Sequence, residues 1–189
     1  PKAPEFKYPI AINVCFKIYL QISSMFFKTN FIFMGDSAGA NLLIQVTNKI
    51  IINNIRKPIA LICFSPWVIS RIKEKYWKEN FNKDFITPYG IDLATRAYLG
   101  FNILNKKWYS SILDLDYDNF PPMLIRAGSN ELILDEIISL KEKIEKSNCD
   151  LYYDLIPNMP HAFDLFHGLI PDFDVKYKFL IDYIKKYLL

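Results

Sequence analysis

The sequence predicts an α/β fold, a mostly parallel sheet flanked by helices. Three observations predict it. Short apolar runs recur at Phe31–Met34, Ile59–Phe64, Met123–Ala127 and Leu151–Ile156, each the length of a buried strand. Helical patterns separate or follow these runs, and strands that alternate with helices pair in parallel beneath helical layers. The first run breaks at Gly35-Asp36-Ser37-Ala38-Gly39, a Gly-x-Ser-x-Gly sequence between a strand pattern and a helix pattern. That context is what a nucleophile elbow requires.

The elements follow in order. Residues 10–27 form an apolar helical stretch in which Asn13, Lys17 and Gln21 recur at spacing four, a narrow polar stripe. The stretch reads as a helix packed on the domain surface, with contact to a membrane surface as the alternative. After the first strand, Leu42, Leu43, Val46 and Ile50 mark a helix. Between Ser65 and Phe120 strand signals are sparse, and Trp67, Tyr76, Trp77, Phe81, Phe85, Tyr89 and Tyr98 are scattered through the segment. A structureless loop of that length is improbable, so short helices over the sheet are expected. Ile137, Leu140 and Ile144 mark a further helix. The last begins near Asp174, with Val175, Phe179, Tyr183, Ile184 and Tyr187 inward.

Composition narrows the class. The chain has 189 residues, 51% hydrophobic and 23% charged, which is the profile of a folded domain. Residues 1–189 are read as one domain, with 66–120 a helical connection inside it. The net charge is +3 and no basic block occurs, so nothing points to nucleic acid. The three cysteines, Cys15, Cys63 and Cys149, show neither metal nor disulfide spacing and read as buried free thiols. No metal or organic cofactor is called for. No run of 18 apolar residues predicts a spanning helix. The first residue is Pro1, so a leader peptide is not readable, and a cytoplasmic or membrane-peripheral location fits equally.

A serine hydroxyl needs a base within hydrogen-bond reach. The chain has two histidines. His161 follows the fourth strand pattern in Asn158-Met159-Pro160-His161, whereas His167 falls in a helix or turn. A loop at the C-terminal end of a strand is where an open α/β sheet gathers its reactive groups, so His161 is the favoured base. The base needs an acid to fix its tautomer. Glu131 lies just beyond the third strand and is favoured over Asp135, which also reads as a helix N-cap. Ala38 would offer its amide to an oxyanion at the helix N-terminus, and Gly35 and Gly39 would make room for the turn. The order Ser37, Glu131, His161 is the Ser…Asp/Glu…His order of α/β-hydrolases. The other reading of the elbow is a glycine-rich turn whose serine only caps the helix.

Further segments sharpen this. Ala3-Pro4-Glu5-Phe6-Lys7-Tyr8-Pro9, Gly35-Asp36-Ser37-Ala38-Gly39-Ala40-Asn41, Ser65-Pro66-Trp67, Asp84-Phe85-Ile86-Thr87-Pro88, Tyr98-Leu99-Gly100, Phe120-Pro121-Pro122 and Met159-Pro160-His161-Ala162-Phe163 stand in order along the chain. Together they resemble the hormone-sensitive-lipase-like group of α/β-hydrolase esterases over nearly the whole length. The resemblance implies the C-terminal part of an α/β-hydrolase fold and a serine hydrolase that cleaves carboxylic esters through an acyl-enzyme. Ser37 would be its nucleophile, Glu131 its acid and His161 its base, acting on a small ester or lipid without a cofactor. Most of the group carry Asp where Glu131 stands. The group's His-Gly-Gly-Gly segment, a further source of oxyanion donors, would precede Pro1. The chain is therefore expected to be N-terminally incomplete, poorly soluble and nearly inactive alone, with the Phe31–Met34 strand at an unpaired edge. The rival functions are a non-catalytic binding protein and an amidase or peptidase on the same fold. Arg126, inside a strand pattern, requires a partner that the sequence does not name.

Overall fold

The structure is a computed structural model that describes residues 1–69, 79–100, 111–166, 168–169 and 173–188, with only the backbone considered at 173–177 and 188. Tyr76, Trp77 and His167 lie outside the described residues, as does the side chain of Val175. A four-stranded sheet forms the centre, with β1 (Ile32–Asp36), β2 (Ala60–Phe64), β3 (Met123–Gly128) and β4 (Leu151–Ile156) side by side in chain order. All three pairings are parallel. The strands match the apolar runs to within two residues at each end.

Side chains alternate across each strand, and each face takes its own helical cover. Leu61, Cys63, Met123, Ile125 and Ala127 share one core with α2 (Ala38–Ile52) and with α4 (Leu134–Glu145). Ala60, Ile62, Phe64 and Leu124 face the other way, where Leu180 and Tyr183 of α5 (Phe173–Leu188) cover them. Outside α2 lies α1 (Ile10–Met25), joined through Ile12, Tyr19, Val46 and Ile50. The described part of the 66–120 connection includes α3 (Pro88–Leu99) and a 3-10 turn at Ile112–Asp114. α3 starts on a Thr87 cap that accepts from Gly90 N–H, with Pro88 in the first turn, where its missing N–H costs nothing.

Two expectations shift. The four runs are not equally buried: β2 and β3 are buried throughout, while β1 and β4 are only partly so. The reason is position, since among the described residues the outer strands have a neighbour on one side only. Met34 of β1 is 53% exposed, so the edge expected at the first strand is there. The thiols differ too: Cys63 and Cys149 are buried and free, but Cys15 is only partly buried, because α1 packs on one side alone. Along that helix Ile12 and Tyr19 are buried, whereas Ile18, Ile22 and Met25 stay exposed. No helix among the described residues is long and apolar enough to cross a membrane.

Candidate active site

Ser37, Glu131 and His161 all lie just beyond the C-terminal ends of strands, after β1, β3 and β4. Strand β1 ends at Asp36 and α2 begins at Ala38, leaving Ser37 alone in the bend with φ 48° and ψ −113°. A non-glycine residue at positive φ is strained and persists only when its surroundings fix it. Here Ser37 N–H donates to Phe64 O at 2.9 Å, and Ser37 O accepts from Trp67 N–H and Asn41 N–H, each at 3.1 Å. The bend also depends on Gly35, because a Cβ there would meet Gly39 C at 2.7 Å and Gly39 O at 2.9 Å. Gly39 itself would place a Cβ with nothing within 4 Å, so the close approach rests on the first glycine and not on both. Ser37 makes no capping bond to α2, which removes the reading of a mere cap. Asp36 ends the strand exposed to solvent.

The Ser37 hydroxyl reaches instead across the sheet. Ser37 Oγ lies 2.8 Å from His161 Nε2, and His161 Nδ1 lies 2.9 Å from Glu131 Oε2. A carboxylate only accepts, so the Nδ1 proton faces Glu131 and leaves Nε2 free to accept from the serine. Glu131 is fully buried. Burial pushes its carboxyl above the ordinary value, while bonds from His161, Gly128 N–H and Ser65 Oγ pull it back. Its second oxygen, Oε1, accepts from Gly128 N–H at 2.6 Å and from Ser65 Oγ at 2.7 Å. The longer acid is thus held at both oxygens. Asp135 sits inside the first turn of α4, whose N-cap is Ile133 and not Asp135.

Three residues without a sequence-assigned role hold this arrangement together. Buried Ser65, at φ 45°, donates to Glu131 and accepts from Ala162 N–H at 2.9 Å. It thereby ties the acid to the histidine turn. Asp84 accepts from His161 N–H at 3.0 Å through Oδ1 and from Leu132 N–H at 2.7 Å through Oδ2. Asn80 Nδ2 donates to Glu131 O at 2.9 Å. Ser65 and Asp84 stand in the Ser-Pro-Trp and Asp-Phe-Ile-Thr-Pro segments, so the sequence marked them without revealing what they do. Asn80 carried no signal.

Ala38 N–H, at the first position of α2, is one of the amides a helix leaves without an intrahelical acceptor. Beside it lies a cavity of about 180 Å³, lined among others by Phe6, Gly39, Leu42, Trp67 and Tyr98. Of the aromatic residues scattered through the 66–120 connection, Trp67 and Tyr98 line this cavity. Phe81 and Tyr89 are exposed. Phe85 lies against His161 instead, their ring centroids 6.3 Å apart. No cluster of His, Cys, Asp or Glu among the described residues could hold a metal ion.

A family model described as alpha/beta hydrolase fold matches residues 1–165. The chain belongs to the alpha/beta hydrolase fold family. Among curated relatives, an esterase of Acinetobacter venetianus is 28% identical over 174 residues, covering 91% of this chain and 57% of the relative. Among solved structures, an esterase of the bacterial hormone-sensitive lipase family superposes with a TM-score of 0.88 at 21% identity, covering 99% of this chain and 63% of that one. A hormone-sensitive lipase from a metagenome library gives 0.89 at 24% identity, covering 99% and 65%. The chain therefore spans less than two thirds of the length of these relatives.

Proposed function

We propose that the protein is a serine hydrolase of carboxylic esters, and that residues 1–189 act in it as one domain in which 66–120 is a helical connection. One observation carries the reading: the unbroken hydrogen-bond chain from Ser37 through His161 to Glu131. Ser37 Oγ attacks the ester carbonyl while His161 Nε2 takes its proton. Glu131 holds the imidazole in the required tautomer and stabilises the imidazolium. The tetrahedral oxyanion forms against Ala38 N–H, where the helix N-terminus favours negative charge. His161 then returns the proton to the leaving alcohol, and water cleaves the acyl-enzyme by the same route. The small apolar cavity beside Ala38 favours a small ester. Support also comes from the Acinetobacter venetianus relative, which is an esterase.

The test is turnover of short-chain aryl esters by the whole protein and its Ser37→Ala variant. Loss of a nucleophile that works with its base as a unit should lower kcat about 10⁶-fold, with residual rate from binding alone. Unchanged turnover would reject Ser37.

A further inference from the structure

In the proposed reaction the ester divides at Ser37. The acyl carbon bonds to Oγ with its oxygen against Ala38 N–H, so the acyl chain lies toward the cavity that Ala38 shares with Gly39, Leu42, Trp67 and Tyr98. That cavity holds about 180 Å³, which limits the acyl chain. The leaving oxygen must come within hydrogen-bond reach of His161 Nε2, which lies 2.8 Å from Ser37 Oγ and returns the proton. The rest of the alcohol therefore lies beside the imidazole. What borders the imidazole decides which alcohol fits.

Phe85 borders it. The two ring centroids are 6.3 Å apart, with their planes at 58°. His161 is buried and its Nδ1 is taken by Glu131, whereas Phe85 is 57% exposed, so the phenyl ring stands on the solvent side of the imidazole. Phe166 meets Phe85 edge-on at 5.8 Å, and the two rings form an apolar ledge. A single exposed phenylalanine is ordinary, but this one is fixed to the catalytic groups. Phe85 N–H donates to Asp84 Oδ1 at 2.8 Å, and the same oxygen accepts from His161 N–H at 3.0 Å. Asp84 Oδ2 accepts from Leu132 N–H, next to the acid, at 2.7 Å. Two residues after Phe85, Thr87 caps α3. One carboxylate thus sets the backbone of Phe85 against both the base and the acid, yet leaves the side chain more than half open. Full burial would stabilise the fold more; the open ring offers its surface to a ligand instead.

We infer that Phe85, edged by Phe166, is a specificity-determining residue that holds the apolar part of the leaving alcohol. The substrate class is then an ester of a small acid with an aryl-bearing alcohol. The inference deepens the reading of Ser37 and His161 as nucleophile and base, and rests on it. An aryl group one carbon from the leaving oxygen reaches across the imidazole edge to Phe85, where ring pairs attract beyond simple burial. An ethyl group covers little of that ring. The contact lies away from the reacting atoms and changes little between bound ester and transition state, so it acts on KM more than on kcat.

The experiment measures kcat and KM of the whole protein on ethyl acetate and benzyl acetate, which share their acyl group, for wild type, Phe85→Ala, Phe85→Leu and Ser37→Ala. Wild type should favour benzyl acetate about tenfold in kcat/KM. Phe85→Ala should remove that preference, chiefly by raising KM for benzyl acetate, and Phe85→Leu should restore part of it. A Phe85 that only packs on the imidazole to hold it would, when replaced, lower kcat on both esters by the same factor and keep the preference. That result would overturn the inference and leave Ser37 untouched. A wild type with no preference for benzyl acetate overturns it as well, and this arm decides if the Phe85 variants fail to fold. Turnover that survives Ser37→Ala would instead remove the nucleophile reading and the inference with it.

Discussion

Glu131→Gln is expected to lower kcat for ester hydrolysis about 10⁴-fold in the whole protein while leaving the fold intact. Glutamine preserves the shape, and its carbonyl oxygen can still accept from Ser65 Oγ and Gly128 N–H, which bond Oε1 at 2.7 and 2.6 Å. Its amide nitrogen would then face His161 Nδ1, where Oε2 now lies at 2.9 Å. A donor there forces the imidazole into the tautomer that carries its proton on Nε2, the nitrogen that must accept from Ser37 2.8 Å away. The loss of the correct tautomer is worth about 10⁴ in comparable triads. Comparing kcat with the thermal unfolding midpoint checks the claim. A large fall in stability alongside activity would mean that Glu131 is chiefly a structural anchor.

The second large effect is expected at Gly128. A Cβ at this position would lie 2.1 Å from Met159 O and 2.6 Å from Met159 C, and both are backbone atoms that cannot rotate away. The same contact region holds Asn130 N–H on Met159 O at 3.0 Å and Gly128 N–H on Glu131. Gly128→Ala should therefore push the 159–161 segment outward, separating His161 from Glu131. Overpacking of this kind costs about 3 kcal/mol or more. Urea unfolding would show the loss as a lowered midpoint at unchanged slope. Gly39→Ala is the control: its Cβ would meet nothing within 4 Å. The helix should gain about 0.5–1 kcal/mol from losing a glycine. Equal outcomes at the two glycines would contradict the geometry.

Much of this was legible in the sequence because it depends on local patterns. β2 shows as an unbroken apolar run and β3 as one interrupted only by Arg126 because they are central, and Gly35 announced the elbow because a side chain there would collide with Gly39. The order of Ser37, Glu131 and His161 could be read because each sits just past a strand end. What stayed hidden acts across space. Ser65 meets Glu131 and Ala162, 66 and 97 residues away, and Asp84 meets His161, 77 residues away; no spacing rule encodes such contacts. Arg126 was conspicuous as a charge inside a strand pattern, but its ion-pair partners Asp154 and Asp164 come from β4 and from the turn after His161. The partial exposure of β1 and β4 could not be read from their apolar runs either, since it follows from lying at the edges of the sheet.

The central claim is that Ser37 Oγ is an activated nucleophile. The most direct measurement is incubation of the whole protein with a fluorophosphonate, followed by proteolysis and mass spectrometry of the peptide spanning Gly35–Gly39. A single phosphonyl adduct on Ser37, formed at neutral pH and abolished by His161→Ala, is the predicted result. An unlabelled Ser37, or an adduct that forms equally fast without His161, would contradict the account.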